Sequence, residues 1–304
     1  MPSRLTDLVS KGIAHPPSGF DQLIQYEVYM GSSAYGCSSD TSDIDVYGFL
    51  IPPKNLVFPH LNGEIEGFGP KGKRFEQYLE HGLIDSSAQG GAGREYDYTI
   101  YSIVKYFDLV MANNPNMIDS LFVPERCIMF MTPIGQKLRE RRHMFLHKRS
   151  WHTFKGYAYQ QLHKLRIKNP TEASKRHEEV LKYGYDPKFG YHIVRLLGEI
   201  EQILIEHDLD LERNREQLKS IRRGEWSLEQ LENYFKSKER ELEEVYNKST
   251  LPWGPPVDKI KALLLECLEE HFGDLSRCVQ TVDPAIQALN DISDILNKYK
   301  LIVS

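Results

Sequence analysis

Long apolar runs are missing from this chain of 304 residues. No stretch approaches the length that crosses a bilayer, and the opening MPSRLTDLVSKG lacks the apolar core of a secretory signal. Cysteine is scarce. Cys37, Cys127, Cys267 and Cys278 form no C-x-x-C spacing, which excludes the common zinc-ligand patterns and a disulfide framework. They read as free thiols in a reducing compartment, so a cytoplasmic protein with no membrane partner is expected. Repeats and low-complexity tracts are absent as well. A large charge excess is also lacking: the formal net charge of −5 argues against indiscriminate binding to nucleic acid over the whole surface. What is present is an ordinary composition, 40% hydrophobic and 27% charged, long enough for one large or two ordinary domains.

The charge is unevenly placed. Residues 137–170 carry ten Lys or Arg and the single acid Glu140, whereas residues 225–244 carry seven acids and three bases. A local anion-binding face inside an acidic protein is therefore expected.

The most informative stretch is 26–49, YEVYMGSSAYGCSSDTSDIDVYGF. Residues 23–30 alternate and are rich in Tyr and Val, so they predict a strand, which Gly31-Ser32 ends. A turn opening a short helix at about Ser33 offers backbone N–H groups and a serine hydroxyl to a phosphate. Strand periodicity then resumes, with Asp43 and Asp45 at i and i+2 projecting from one face about 6 to 7 Å apart. Like charges held so close call for a cation between them, which implies Mg²⁺ or Mn²⁺ held through oxygens. The chain supplies its own control: Asp208-Leu-Asp210 has the same spacing but no glycine turn before it and no strand around it.

Gly31-Ser32, ten residues, then Asp43-Ile44-Asp45 resembles the signature of the DNA polymerase β superfamily of nucleotidyltransferases. The likeness extends through residues 113–122 (NNPNMIDSLF) and 182–197 (KYGYDPKFGYHIVRLL) and covers roughly residues 20–205. Together these are similar to a branch found in phages and bacteria and associated with RNA ligases and RNA repair, which would place a phage-encoded copy in the host cytoplasm. The resemblance implies a third carboxylate on a later strand, a role that Asp97 fits. It implies two metal ions held by Asp43, Asp45 and Asp97, with the ion on Asp97 serving the attacking hydroxyl. It implies a nucleoside triphosphate whose phosphates meet Gly31, Ser32 and Ser33, and it makes Lys188, His192 and Arg195 the candidates for neutralising them.

Elsewhere the residues leave alternatives open. Residues 1–22 read as a short helix and linker. Residues 55–94 read as a glycine-rich, turn-rich excursion, either a lid that contacts the acceptor or a solvated insertion broken by a short helix near residues 75–81. The segment Asn113-Asn-Pro-Asn116 is either a well-made turn or a substrate contact, with Asp119 or Ser120 capping the next element. Trp151, Phe154, Ala158, Leu162 and Leu165 step by three and four, so residues 146–168 predict a helix packed on one side. Its basic residues, with Lys148, Lys155, Lys164 and Arg166 as possible acceptor contacts, are either solvated or set against phosphate. Lys188, His192 and Arg195 lie at i, i+4 and i+7 as one polar stripe; apart from the resemblance, a surface face balanced by Glu199 is the alternative. Helical runs follow through residues 228–246, 257–271 and 284–299.

The expectation is an α/β nucleotidyltransferase domain with a small mixed sheet (residues 1–124), followed by a mostly helical domain (residues 125–304) that completes the cleft. Its function would be transfer of a nucleoside monophosphate to an acceptor hydroxyl with release of pyrophosphate (EC 2.7.7 type), the acceptor being an RNA end. Nucleotidylation of a protein hydroxyl and a noncatalytic nucleotide- or RNA-binding module are the alternatives.

Overall fold

The computed structural model describes residues 2–38, 43–65, 69, 74–167, 175–278, 289, 292 and 295. The chain forms two compact units, one of residues 1–51 and 76–264 and another of residues 52–75 and 265–304.

The first unit is built on a five-stranded sheet of β1 (Ile24–Tyr29), β2 (Ile44–Leu50), β3 (Gln77–Asp85), β4 (Arg94–Ser102) and β5 (Ile128–Met131). Their spatial order is β3-β4-β2-β1-β5, and only β2 and β4 run parallel. This is the small mixed sheet that the sequence predicts. Its fifth strand comes from beyond residue 124, the expected domain limit. On one face α1 (Arg4–Ser10) buries Leu5 and Leu8. That helix is strapped down by charge: the buried Glu27 carboxylate accepts the N–H groups of Arg4 (2.7 Å) and Leu5 (3.0 Å), and Asp85 receives Arg4 (2.7 Å) and Lys11 (3.0 Å). Residues 1–22, read as a bare helix and linker, thus bind the sheet.

A short helix, α2 (Gly31–Ala34), follows β1. The second unit holds α3 (Lys54–Val57), whose neighbour Phe58 packs edge-on against Phe272. Residues 77–85, expected within a loop broken by a short helix, form the edge strand β3 instead. Tyr78 and Leu83 are buried on it, and the register slips between Glu80 and Leu83, where Gly82 takes φ +69°. That bulge interrupts the alternation by which a strand is recognised. Within the same excursion the sequence also carries a basic run, Lys71-Gly-Lys-Arg74, which falls mostly outside the described residues.

After β4, Ser102 caps α4 (Ile103–Met111), and Asn114 caps α5 (Pro115–Phe122) with Pro115 in the first turn. The cap is therefore Asn114, not Asp119 or Ser120, both of which are fully buried. The rest is helical: α6 (Pro133–Glu140), α7 (Ser150–Ile167), α8 (Lys175–Tyr183), α9 (Pro187–Glu206), α10 (Arg215–Arg222), α11 (Leu228–Lys248) and α12 (Val257–Phe272). Asp186 and Pro187 launch α9, which runs through the interior with Ile193, Val194, Leu197 and Ile200 fully buried. The helix expected over residues 284–299 lies largely outside the described residues. Cys37, Cys127 and Cys267 are buried free thiols.

Candidate active site

The parallel register of β2 and β4 pairs Asp45 directly with Asp97. Period two then puts both side chains on one face of the sheet. Asp45 is half-buried. Desolvation raises its pKa, Lys188 opposes that, and Asp97 and Asp43 add to it. Asp43, two residues earlier, is exposed at the mouth of β2. Asp97 Oδ1 accepts the Gly82 N–H at 2.9 Å and lies 3.3 Å from His81 Nδ1. The β3 bulge therefore holds the second carboxylate. His81 escaped recognition in the sequence because its strand did.

Gly31 closes over Asp45. Its φ is +58°, and a Cβ built there would lie 2.0 Å from Asp45 Oδ2. Only glycine allows the turn to sit this close to the carboxylate. Ser32 and Ser33 follow in α2, half-exposed, and the Ser33 carbonyl is braced by Arg126 Nη2 at 3.1 Å, itself paired with Glu212 at 2.7 Å.

Tyr35, which ends α2, anchors this turn inside the molecule. Its hydroxyl donates to Asp119 Oδ2 at 2.6 Å. Arg195 also reaches Asp119 and Tyr35 and lies 3.2 Å from Glu199. All four are buried, and Asp119 Oδ1, Glu199 Oε2 and Arg195 Nε have no hydrogen-bond partner among the described residues. Desolvation pushes both carboxylates up in spite of the guanidinium between them.

The cationic stripe on α9 therefore divides. Lys188, exposed in the otherwise buried first turn, is close enough to Asp45 to favour its charge. His192 is half-buried one turn on. Arg195 is not the surface cation expected: seven residues carry the helix about 10 Å inward, where its charge is neutralised by Asp119 and Glu199. Glu199 does not balance an outer face either, being buried under the arginine.

The basic helix α7 is likewise mostly occupied. Lys155 pairs with Glu239 (2.8 Å) and Glu243 (3.6 Å), Arg166 pairs with Glu232 (2.8 Å), and the Lys148 ammonium lies 5.0 Å from the centre of the Tyr246 ring. Most of the acidic run of residues 225–244 lies on α11, set against α7, and part of the charge asymmetry in the sequence is internal complementarity. Lys164 alone among the four is exposed without an ion pair among the described residues.

The carboxylates and serine hydroxyls of the site are hard oxygen ligands of the kind a divalent cation prefers, and the space kept by Gly31 lies directly over the Asp45 carboxylate. Among the described residues, no three His, Cys, Asp or Glu side chains are already gathered as a metal cage. None of their helices is long and apolar enough to cross a membrane.

A small mixed sheet with in-register carboxylates on adjacent parallel strands, capped by a glycine-serine turn, has the layout of a polymerase β-type nucleotidyltransferase. The chain belongs to the RNA repair pathway DNA polymerase beta family (RlaP), whose family model matches residues 18–292. No curated protein matches it.

Proposed function

We propose that the protein transfers a nucleoside monophosphate from a nucleoside triphosphate to a hydroxyl at an RNA end. The observation that carries this reading is the pairing of Asp45 with Asp97 beneath Gly31. Asp43, Asp45 and Asp97 would hold Mg²⁺ or Mn²⁺, which when bound supplies charge neutralisation at the reacting oxygens. The α2 turn receives the phosphates through its N–H groups and the Ser32 and Ser33 hydroxyls, and Lys188, whose charge reaches Asp45, supplies positive charge to them. The acceptor oxygen attacks the α-phosphorus in line, the bond to the β-phosphate oxygen breaks, pyrophosphate leaves, and the hydroxyl proton passes to solvent. His81 and the Gly82 N–H keep the Asp97 carboxylate oriented toward the acceptor side.

The test is incubation with each α-labelled triphosphate, Mg²⁺ or Mn²⁺, and either an RNA pool or a protein lysate. Label is expected on RNA, and Asp45→Asn is expected to reduce it at least a hundredfold (about 2.7 kcal/mol or more in the barrier). Because burial and like charges already strain the ionised Asp45, the variant should unfold at no lower urea concentration than the wild type. Label on protein alone would move the reading to nucleotidylation of a protein hydroxyl, and near-normal transfer by Asp45→Asn would end the carboxylate assignment.

A further inference from the structure

The face that carries Asp45 and Asp97 continues as an aromatic surface. Tyr47 follows Asp45 on β2 and Tyr101 follows Asp97 on β4, their rings 6.5 Å apart and edge-on at 68°. Both are half-buried, and Leu79 on the neighbouring β3, which pairs with Thr99, is 50% exposed on the same face. The Tyr47 hydroxyl bonds Asn116, and the Tyr157 hydroxyl, from α7, accepts from Asn114 Nδ2 at 2.9 Å. Burial raises the Tyr101 phenol above its ordinary value, and the Tyr157 phenol lies near enough to add an electrostatic effect of the same sign. Three tyrosines from β2, β4 and α7 thus stand half-open beside the transfer site.

On α7 the two flanks differ. Lys155, Tyr159 and Arg166 face α11 and are bonded to Glu239 and Glu232. Tyr157, Gln161 and Lys164, at i, i+4 and i+7, lie on the opposite flank, where Lys164 is exposed and has no ion pair among the described residues. The line from Asp97 to Tyr101 covers about 13 Å of strand, and that from Tyr157 to Lys164 about 10 Å of helix.

We propose that this line is the acceptor track: a single-stranded RNA end lies with its terminal bases against Tyr101 and Tyr157, a backbone phosphate on Lys164 and its hydroxyl at Asp97. The inference rests on the transfer reading above. The sheet order keeps the track apart from the triphosphate, because the Gly31 turn leaves from β1 on the far side of β2, whereas Tyr101 and Leu79 lie on β4 and β3. Flat rings in line with an exposed cation suit unstacked bases and a phosphate. A duplex, which hides its base faces, fits them poorly.

Fluorescence anisotropy with a labelled single-stranded oligoribonucleotide, and separate calorimetry with a nonhydrolysable triphosphate, test this. Tyr101→Leu and Tyr157→Leu should each weaken RNA binding about tenfold, the loss of one stacked base. Tyr101→Phe, which keeps the ring, should bind within about twofold of wild type. Lys164→Ala should lower the salt dependence by about one ion, and triphosphate affinity should stay put in all four variants. RNA binding unchanged in both leucine variants would overturn the track, as would triphosphate affinity falling in step with RNA affinity. A wild-type protein whose RNA binding depends on these rings, yet which transfers no label from any triphosphate, would support the track and remove the transfer reading. Transfer to RNA that is indifferent to the rings would do the reverse.

Discussion

A methyl group at residue 31 has nowhere to go. Gly31→Ala would force an L side chain into φ +58° and drive its Cβ onto the Asp45 carboxylate. The backbone strain alone costs about 1 to 2 kcal/mol. Transfer should fall much further than stability, since the displaced group is one of the two facing carboxylates; urea melts and label transfer on the same preparation separate the two effects. The glycine, the serines, Asp43 and Asp45 could be picked out as candidates from spacing along the chain, and Asp97 only through the family resemblance. The fate of Arg195 could not, because its partner Asp119 lies 76 residues away in sequence. Asp119→Ala would leave the buried guanidinium with Glu199 alone and the Tyr35 hydroxyl without its acceptor, so it should cost about 3 kcal/mol by urea denaturation, the lower end of the range for a broken buried pair. If Arg195 instead faced solvent, the loss would stay under about 1 kcal/mol.

Among the elements, those with strong helical period were legible: α7, α9, α11 and α12 fall close to where their apolar steps place them. β3 was not, because its bulge at Gly82 breaks the alternation and its neighbours Glu80 and His81 are polar. The pairing of α7 with α11 was visible only as two opposite charge runs, and sequence cannot say whether such runs meet a ligand or each other. Their contact gives a measurable coupling. In a double-mutant cycle of Lys155→Ala with Glu239→Ala, the interaction should be about 0.2 to 1 kcal/mol and should shrink as salt rises. A coupling of zero would return Lys155 to the solvent and reopen it as an anion contact.

For the molecule as a whole, α1 is a strap whose strength depends on pH. The Ser87 hydroxyl, with Lys11 beside it, holds the Asp85 carboxyl well below the usual carboxylate range against the opposing effect of burial. A depressed folded-state value means that this stabilisation is complete above the unfolded value of about 3.9 and is lost as pH falls toward the folded one. Asp85→Asn should therefore destabilise the protein by about 1 to 3 kcal/mol at pH 7. That difference should begin to narrow only as the urea melts are carried below about pH 4.

The sheet is completed from both ends of a long stretch of chain. Val28 on β1 pairs with Ile128 on β5, and the intervening residues supply every other strand. A chain emerging from the ribosome therefore holds all three candidate carboxylates well before its fifth strand exists, and until then one side of β1 is a bare edge able to pair with a neighbouring nascent chain. Lys188 arrives later still. During synthesis the acids precede both the strand that closes the β1 edge and the cation that favours the Asp45 charge, so crowded polysomes are the setting in which this fold is most exposed to mispairing.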